Sequence, residues 1–187
     1  MARSPAATAK DLDLLDLGED GLYFDEPCLP EVEALIAQAA RDYGQAAAEP
    51  GLLRAYFLAP EQLSVLVALY RYYFYQHRME DALLVAERGL EVTARRLHLV
   101  GGWSSIGHVA LGEAVMLSIG LLRFHLQVLK GSAVILMRLG RLEEASLRLN
   151  KIVEVDERDV LGAAPLLAVI AQQQAQHEED VEPEVAR

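Results

Sequence analysis

Residues 63–92 read LSVLVALYRYYFYQHRMEDALLVAERGLEV, and residues 126–155 read LQVLKGSAVILMRLGRLEEASLRLNKIVEV. Laid over each other so that Ala82 meets Ala145, they put Leu66 on Leu129, Tyr73 on Leu136, Met79 on Leu142, Ala86 on Leu149 and Val92 on Val155. Each window is an apolar run, a short polar turn, an acidic pair, an alanine and a second amphipathic run. In the first window Leu63, Leu66, Val67, Tyr70, Tyr73 and Phe74 recur at spacings of three and four, which predicts a helix rather than a buried strand. Met79, Ala82, Leu83, Ala86 and Leu90 mark the inner face of a second helix from Met79 to Leu97. Five aromatics crowd into Tyr70–Tyr75, and their purpose is the question the sequence poses.

Outward from these windows the pattern stays helical. Leu35, Ile36, Ala39, Ala40 and Tyr43 fall on one face of a helix that begins near Pro27 or Pro30 and is expected to end at Gly44 and AAAEPG (46–51). LLRAYFL (52–58) reads as a short helix or turn, and Pro60 and Glu61 suit the first turn of the next helix. LVGGWSSIG (99–107) is a loop. After it Ser104 or Ser105 is expected to cap a long apolar helix through Arg138, with Gly112, Gly120 and Gly131 as candidate breaks. Two more helices follow, over 139–156 and 157–176. No strand candidate survives, so the expected class is all-α, about six to eight helices stacked as hairpins. The expected organisation is a flexible acidic lead (1–20), one helical domain (21–176) and a disordered acidic tail (177–187).

The chain has 187 residues, enough for one core. Its net charge of −11 sits at the ends, with −7 in residues 1–33, −4 in residues 176–187 and a neutral body between them. With no basic stripe left to neutralise phosphates, nucleic acid is an unexpected partner. The most apolar stretch, 108–130, is interrupted by Glu113, Arg123 and His125, so no membrane span is expected. The first twenty residues show no apolar signal region, and the single cysteine, Cys28, precludes an internal disulfide. Both fit a cytoplasmic protein.

The paired windows resemble the tetratricopeptide repeat, a helix–turn–helix unit. Leu66, Leu69, Tyr70 and Tyr73 stand where that repeat places first-helix packing residues, and Ala82, Ala86 and Gly89 where it places the small residues at the helix crossing. In the second window these roles fall to Leu129, Ala133, Leu136, Gly140, Ala145 and Ile152. The sequence departs from the repeat at His77, which replaces the turn glycine. It departs again in the spacing of the alanines, 63 residues where two regular repeats would give 68. Residues 30–58 are expected to add a degenerate pair and residues 99–126 an irregular one. Two further resemblances are to small repeat chaperones of type III secretion and, through residues 52–83, to small repeat proteins encoded among bacterial nitrogen-fixation genes. The latter implies an accessory role in nitrogenase maturation.

The repeat resemblance implies a groove lined by Ser64, Val67, Arg71, Phe74 and Tyr75, and by Gln127, Lys130, Val134, Met137 and Arg138. Such a lining suits a peptide or helix with apolar or acidic anchors. The alternative is that the rings pack against the chain's own N-terminal helices or, in a homodimer, a second copy. Trp103 is either a partner anchor or a plug for the stack. No histidine pair has helical metal-ligand spacing. The Lys-Gly-Ser of residues 130–132 lacks the order of a phosphate loop. GGWSSIG is not a nucleophile elbow. Neither catalysis nor a cofactor or metal is expected, and the expected function is that of an adaptor or chaperone, with a homo-oligomeric scaffold as the alternative.

Overall fold

A computed structural model describes residues 26–181, with side chains through residue 176. The acidic lead falls outside the described residues, as do residues 182–187 of the tail. Within the described residues the chain is all-α and contains no strand. The helices are α1 (Pro30–Arg41), α2 (Ala48–Leu58), α3 (Leu63–Tyr75), α4 (Met79–Arg96), α5 (His108–Arg138), α6 (Leu142–Val155) and α7 (Ala164–Val181), with one 3-10 turn at Trp103–Ser105. Each helix packs chiefly on its neighbours in sequence. The result is a pile of hairpins (α1/α2, α3/α4 and α5/α6) closed by α7.

The two windows fold alike, bond for bond. After α3, His77 takes a left-handed φ of 57°, and after α5, Gly140 takes 74°. The N–H of Arg78 donates to the carbonyl of Tyr73 at 2.9 Å, and that of Arg141 to Leu136 at 2.9 Å. Arg78 Nε then holds Asp81 at 2.7 Å, as Arg141 Nε holds Glu144 at 2.7 Å. Reversing the chain after a helix needs one left-handed residue, and glycine supplies it without a steric penalty. His77 adopts the same turn despite its side chain. Ala82 and Ala145 are fully buried at the crossings. At Gly89 an added Cβ would sit 3.6 Å from Val128, so a small residue brings α4 onto α5.

Four expectations are corrected. AAAEPG begins α2 rather than ending α1, because Pro50 falls in a first turn where its missing N–H is not needed. Glu61 does not serve the dipole of α3. Its carboxylate turns to Arg95 at 2.7 Å and Arg88 at 3.3 Å, and Glu26 instead accepts the Leu63 N–H at 3.1 Å. Neither Ser104 nor Ser105 caps α5, which starts after Gly107 without a side-chain cap. The break in α5 lies at Ser118 (φ −165°, ψ 106°), whose Oγ accepts the Leu121 N–H at 3.2 Å and so starts the helix afresh.

Residues 97–117 therefore form an insertion rather than a further hairpin: a loop, the 3-10 turn and a short helical arm. The insertion has its own small core of Leu97, Leu99, Ile106 and Ala114 against Ala94, Leu122 and Leu126. Among the described residues α5 is also the one helix long and apolar enough to cross a membrane by length and composition. Its second half is core, with Leu129, Ala133, Ile135 and Leu136 fully buried. At the far end Asp159 Oδ1 accepts the N–H groups of Ala163 and Ala164 at 2.6 and 3.1 Å and caps α7, whose helix runs into the predicted tail as far as Val181.

Candidate functional site

The aromatic run of α3 divides by helical phase. Tyr70, Tyr73 and Phe74 are buried; Tyr72 is half-buried and Tyr75 exposed. Tyr70 stacks on Phe74 at 5.8 Å and reaches across to α5, where a Cβ on Gly131 would lie 3.1 Å from its hydroxyl oxygen. Tyr73 donates its hydroxyl proton to Glu49 at 3.2 Å under the Arg78 guanidinium. Burial, then the Glu49 carboxylate, pushes its pKa up to about 12. The rings are thus mostly core, and their outer edge opens on a concavity.

That concavity, of about 440 Å³, lies along the face shared by α1 and α3. From α1 come Ile36, Ala39, Ala40 and Tyr43, from α3 Ala68, Arg71, Tyr72 and Tyr75, and Leu52 lies beneath. Tyr43 meets Tyr72 edge-on at 6.3 Å. The volume falls within the range of ordinary ligand pockets, and the lining is apolar apart from Arg71 and the tyrosine hydroxyls.

The ten residues implied by the repeat resemblance scatter. Arg71 and Tyr75 line the concavity. Val67, Phe74 and Val134 are buried within the chain; α3 and α5 meet through long side chains, Tyr70 reaching Gly131 and the Arg138 guanidinium covering the Phe74 ring 4.5 Å from its centroid. Lys130 donates to the carbonyl of Leu161 and ties down the α6–α7 loop; burial lowers its pKa. Met137 is half-buried against the core. Ser64 Oγ and Gln127 Oε1, at equivalent positions of the two windows, are enclosed without a hydrogen-bond partner. Trp103 is half-buried beneath the Arg148 guanidinium, 5.3 Å from its ring centroid. Arg148 also reaches Glu87 and donates to Ser132 Oγ at 2.7 Å, so it joins α4, α5 and the insertion. The α1 wall of the concavity carries no signal of its own in the sequence, where Ile36, Ala39, Ala40 and Tyr43 show only as one helical face.

Elsewhere, His125 is fully buried and bonded to Thr93, 2.6 Å from Oγ1 to Nδ1. Because the Thr93 hydroxyl donates to the Gly89 carbonyl at 2.7 Å, His125 Nδ1 is the donor in that pair. Burial pushes the His125 pKa down to about 4. Among the described residues no group of three or more His, Cys, Asp or Glu side chains could hold a metal ion.

Fold and concavity together define an all-α hairpin stack with an open aromatic groove on its first two pairs. The chain is 50% identical over 167 residues to the "Uncharacterized 19.8 kDa protein in nifW 5′ region" of Azotobacter chroococcum mcd 1, a match covering 88% of this chain and 92% of that protein. It belongs to the family of that protein. A relative in a nitrogen-fixation gene region accords with the resemblance carried by residues 52–83. No family model matches the chain, and no solved structure matches it.

Proposed function

We propose that this chain is a non-catalytic protein-interaction module of nitrogen fixation, an adaptor or chaperone that holds a segment of another protein in the α1/α3 groove. The carrying observation is the open concavity walled by Tyr43, Tyr72 and Tyr75 with Arg71 among them. Tyrosine and arginine are the side chains that dominate binding energy at protein interfaces, since they bury much area at little entropic cost. A segment that inserts apolar anchors between the tyrosines fits this lining. The family relative encoded 5′ of nifW supports the pathway and, with it, an accessory role in nitrogenase maturation. The matching turns at His77 and Gly140 support reading the hairpins as diverged tetratricopeptide repeats.

The test is a binding titration of the full chain against peptides tiling the proteins encoded beside it. Micromolar binding is expected, weakened about tenfold or more by Tyr72→Ala or Tyr75→Ala, which is about 1.4 kcal/mol or more. Leu84→Ala, at an exposed position of α4, leaves binding unchanged. Binding indifferent to the two tyrosine variants would remove the groove from the function.

A further inference from the structure

The arm of α5 before Ser118 is apolar on both sides. Ala114 faces the small core, whereas Val109 (78% exposed), Met116 (87%) and Leu117 (51%), with Ile119 (53%) just past the break, face solvent. With Val115 these leave on the order of 600 Å² of apolar surface uncovered, at the top of what a monomer ordinarily shows and near the ~800 Å² per partner of a standard interface.

Two charges lie in residues 109–123, Glu113 and Arg123, both exposed and neither with an ion-pair partner among the described residues. They stand five positions either side of Ser118, where the helix breaks. We propose that this face is covered by a second copy of the chain. The two α5 helices run antiparallel about a two-fold axis at Ser118, so that Glu113 of each copy meets Arg123 of the other. Only an antiparallel twin presents the same apolar stripe with the charges reversed in order, and a two-fold interface uses each such contact twice. A bilayer fits less well. The exposed arm, residues 108–119, is about 18 Å long by helical rise, against the ~30 Å of a hydrocarbon core. The arm carries Glu113 and no Lys or Arg, so it has no cationic group to attract anionic lipids.

Light scattering and sedimentation of the full chain over about a hundredfold range of micromolar concentrations test this. The wild type is expected to be a dimer. Glu113→Arg alone and Arg123→Glu alone each place like charges in both contacts and weaken the dimer about tenfold or more. The double variant, Glu113→Arg with Arg123→Glu, restores it. Met116→Asp gives a monomer whose far-ultraviolet circular dichroism is unchanged. A wild type monomeric throughout, or a double variant no better than the singles, overturns the proposal. So does a monomer that sediments with phosphatidylcholine–phosphatidylglycerol vesicles and loses that binding on Met116→Asp, which would assign the face to lipid. The groove lies on α1 and α3, so neither result bears on the peptide titration.

Discussion

Acid should destabilise this protein through one histidine, and the size of the effect follows from His125's burial. The imidazole is fully enclosed between α4 and α5, with Nδ1 donating to Thr93 and Nε2 without a partner. Burial holds its pKa near 4 in the folded chain, against 6.5 for an exposed histidine. Between those values the unfolded chain binds a proton that the folded chain refuses, so stability falls as the pH falls through this window and is level above it. At 1.36 kcal/mol per pKa unit the full loss is about 3 kcal/mol, and about 2 kcal/mol is gone by pH ~5. The comparison is urea unfolding, followed by circular dichroism at about pH 7.5 and about pH 5, of the wild type and His125→Leu. The variant should be close to wild type at the higher pH, because the Thr93 hydroxyl keeps its bond to Gly89. It should lose about 2 kcal/mol less on acidification. The hydrogen bonds from Arg95 to Glu61 and from Arg141 to Glu144 lower the pKa of those carboxylates, and both are present in the variant too, so their acid dependence cancels in the comparison. Equal acid dependence in the two proteins would refute the enclosed, neutral histidine.

Three further outcomes test the stack itself. Ala82→Leu and Ala145→Leu each overfill a crossing and should cost about 1–3 kcal/mol, whereas Leu84→Ala and Leu147→Ala, at equivalent exposed positions, should stay within about 0.5 kcal/mol; thermal unfolding reads all four. His77→Gly should be neutral or stabilise by up to about 1 kcal/mol, while Gly140→Ala costs about 1 kcal/mol through backbone strain alone, since nothing lies within 4 Å of its added Cβ. Denaturant midpoints at constant slope measure both. Arg148→Met should shift the emission of Trp103, the one tryptophan of the chain, to the red and lower stability by about 1.5–3 kcal/mol.

What was legible in the sequence was whatever repeats. The offset that puts Ala82 on Ala145 located both crossings and both reversing turns, because those features depend on a few residues near each other in the chain. What was not legible depends on neighbours far away in sequence. Glu61 looks like a dipole-favouring residue in the sequence, but Arg88 and Arg95, on α4, come within reach of its carboxylate. Phe74 sat on a helical face that the repeat resemblance left open, and the Arg138 side chain, reaching across from α5, covers its ring. Three glycines competed as the break in α5, yet Ser118 makes it, because a serine oxygen can replace the lost backbone partner and a glycine cannot.

The insertion at 97–117 explains why the second window is not a simple copy of the first. A hairpin stack becomes self-supporting at about three units, and α1/α2, α3/α4 and α5/α6 already supply them. The insertion is not needed to complete that count, and its small core meets the main one through Trp103 and Leu121, which pack against both. An edge helix at the end of a stack must be polar outside, but this arm projects from the middle and has an apolar outer face. Such a face costs solubility unless something covers it. Helix α7 closes the other end, against α6, so none of the chain's described helices remains to do so. The exposed stripe, with Glu113 and Arg123 five positions either side of Ser118, is the face that the proposed second copy covers.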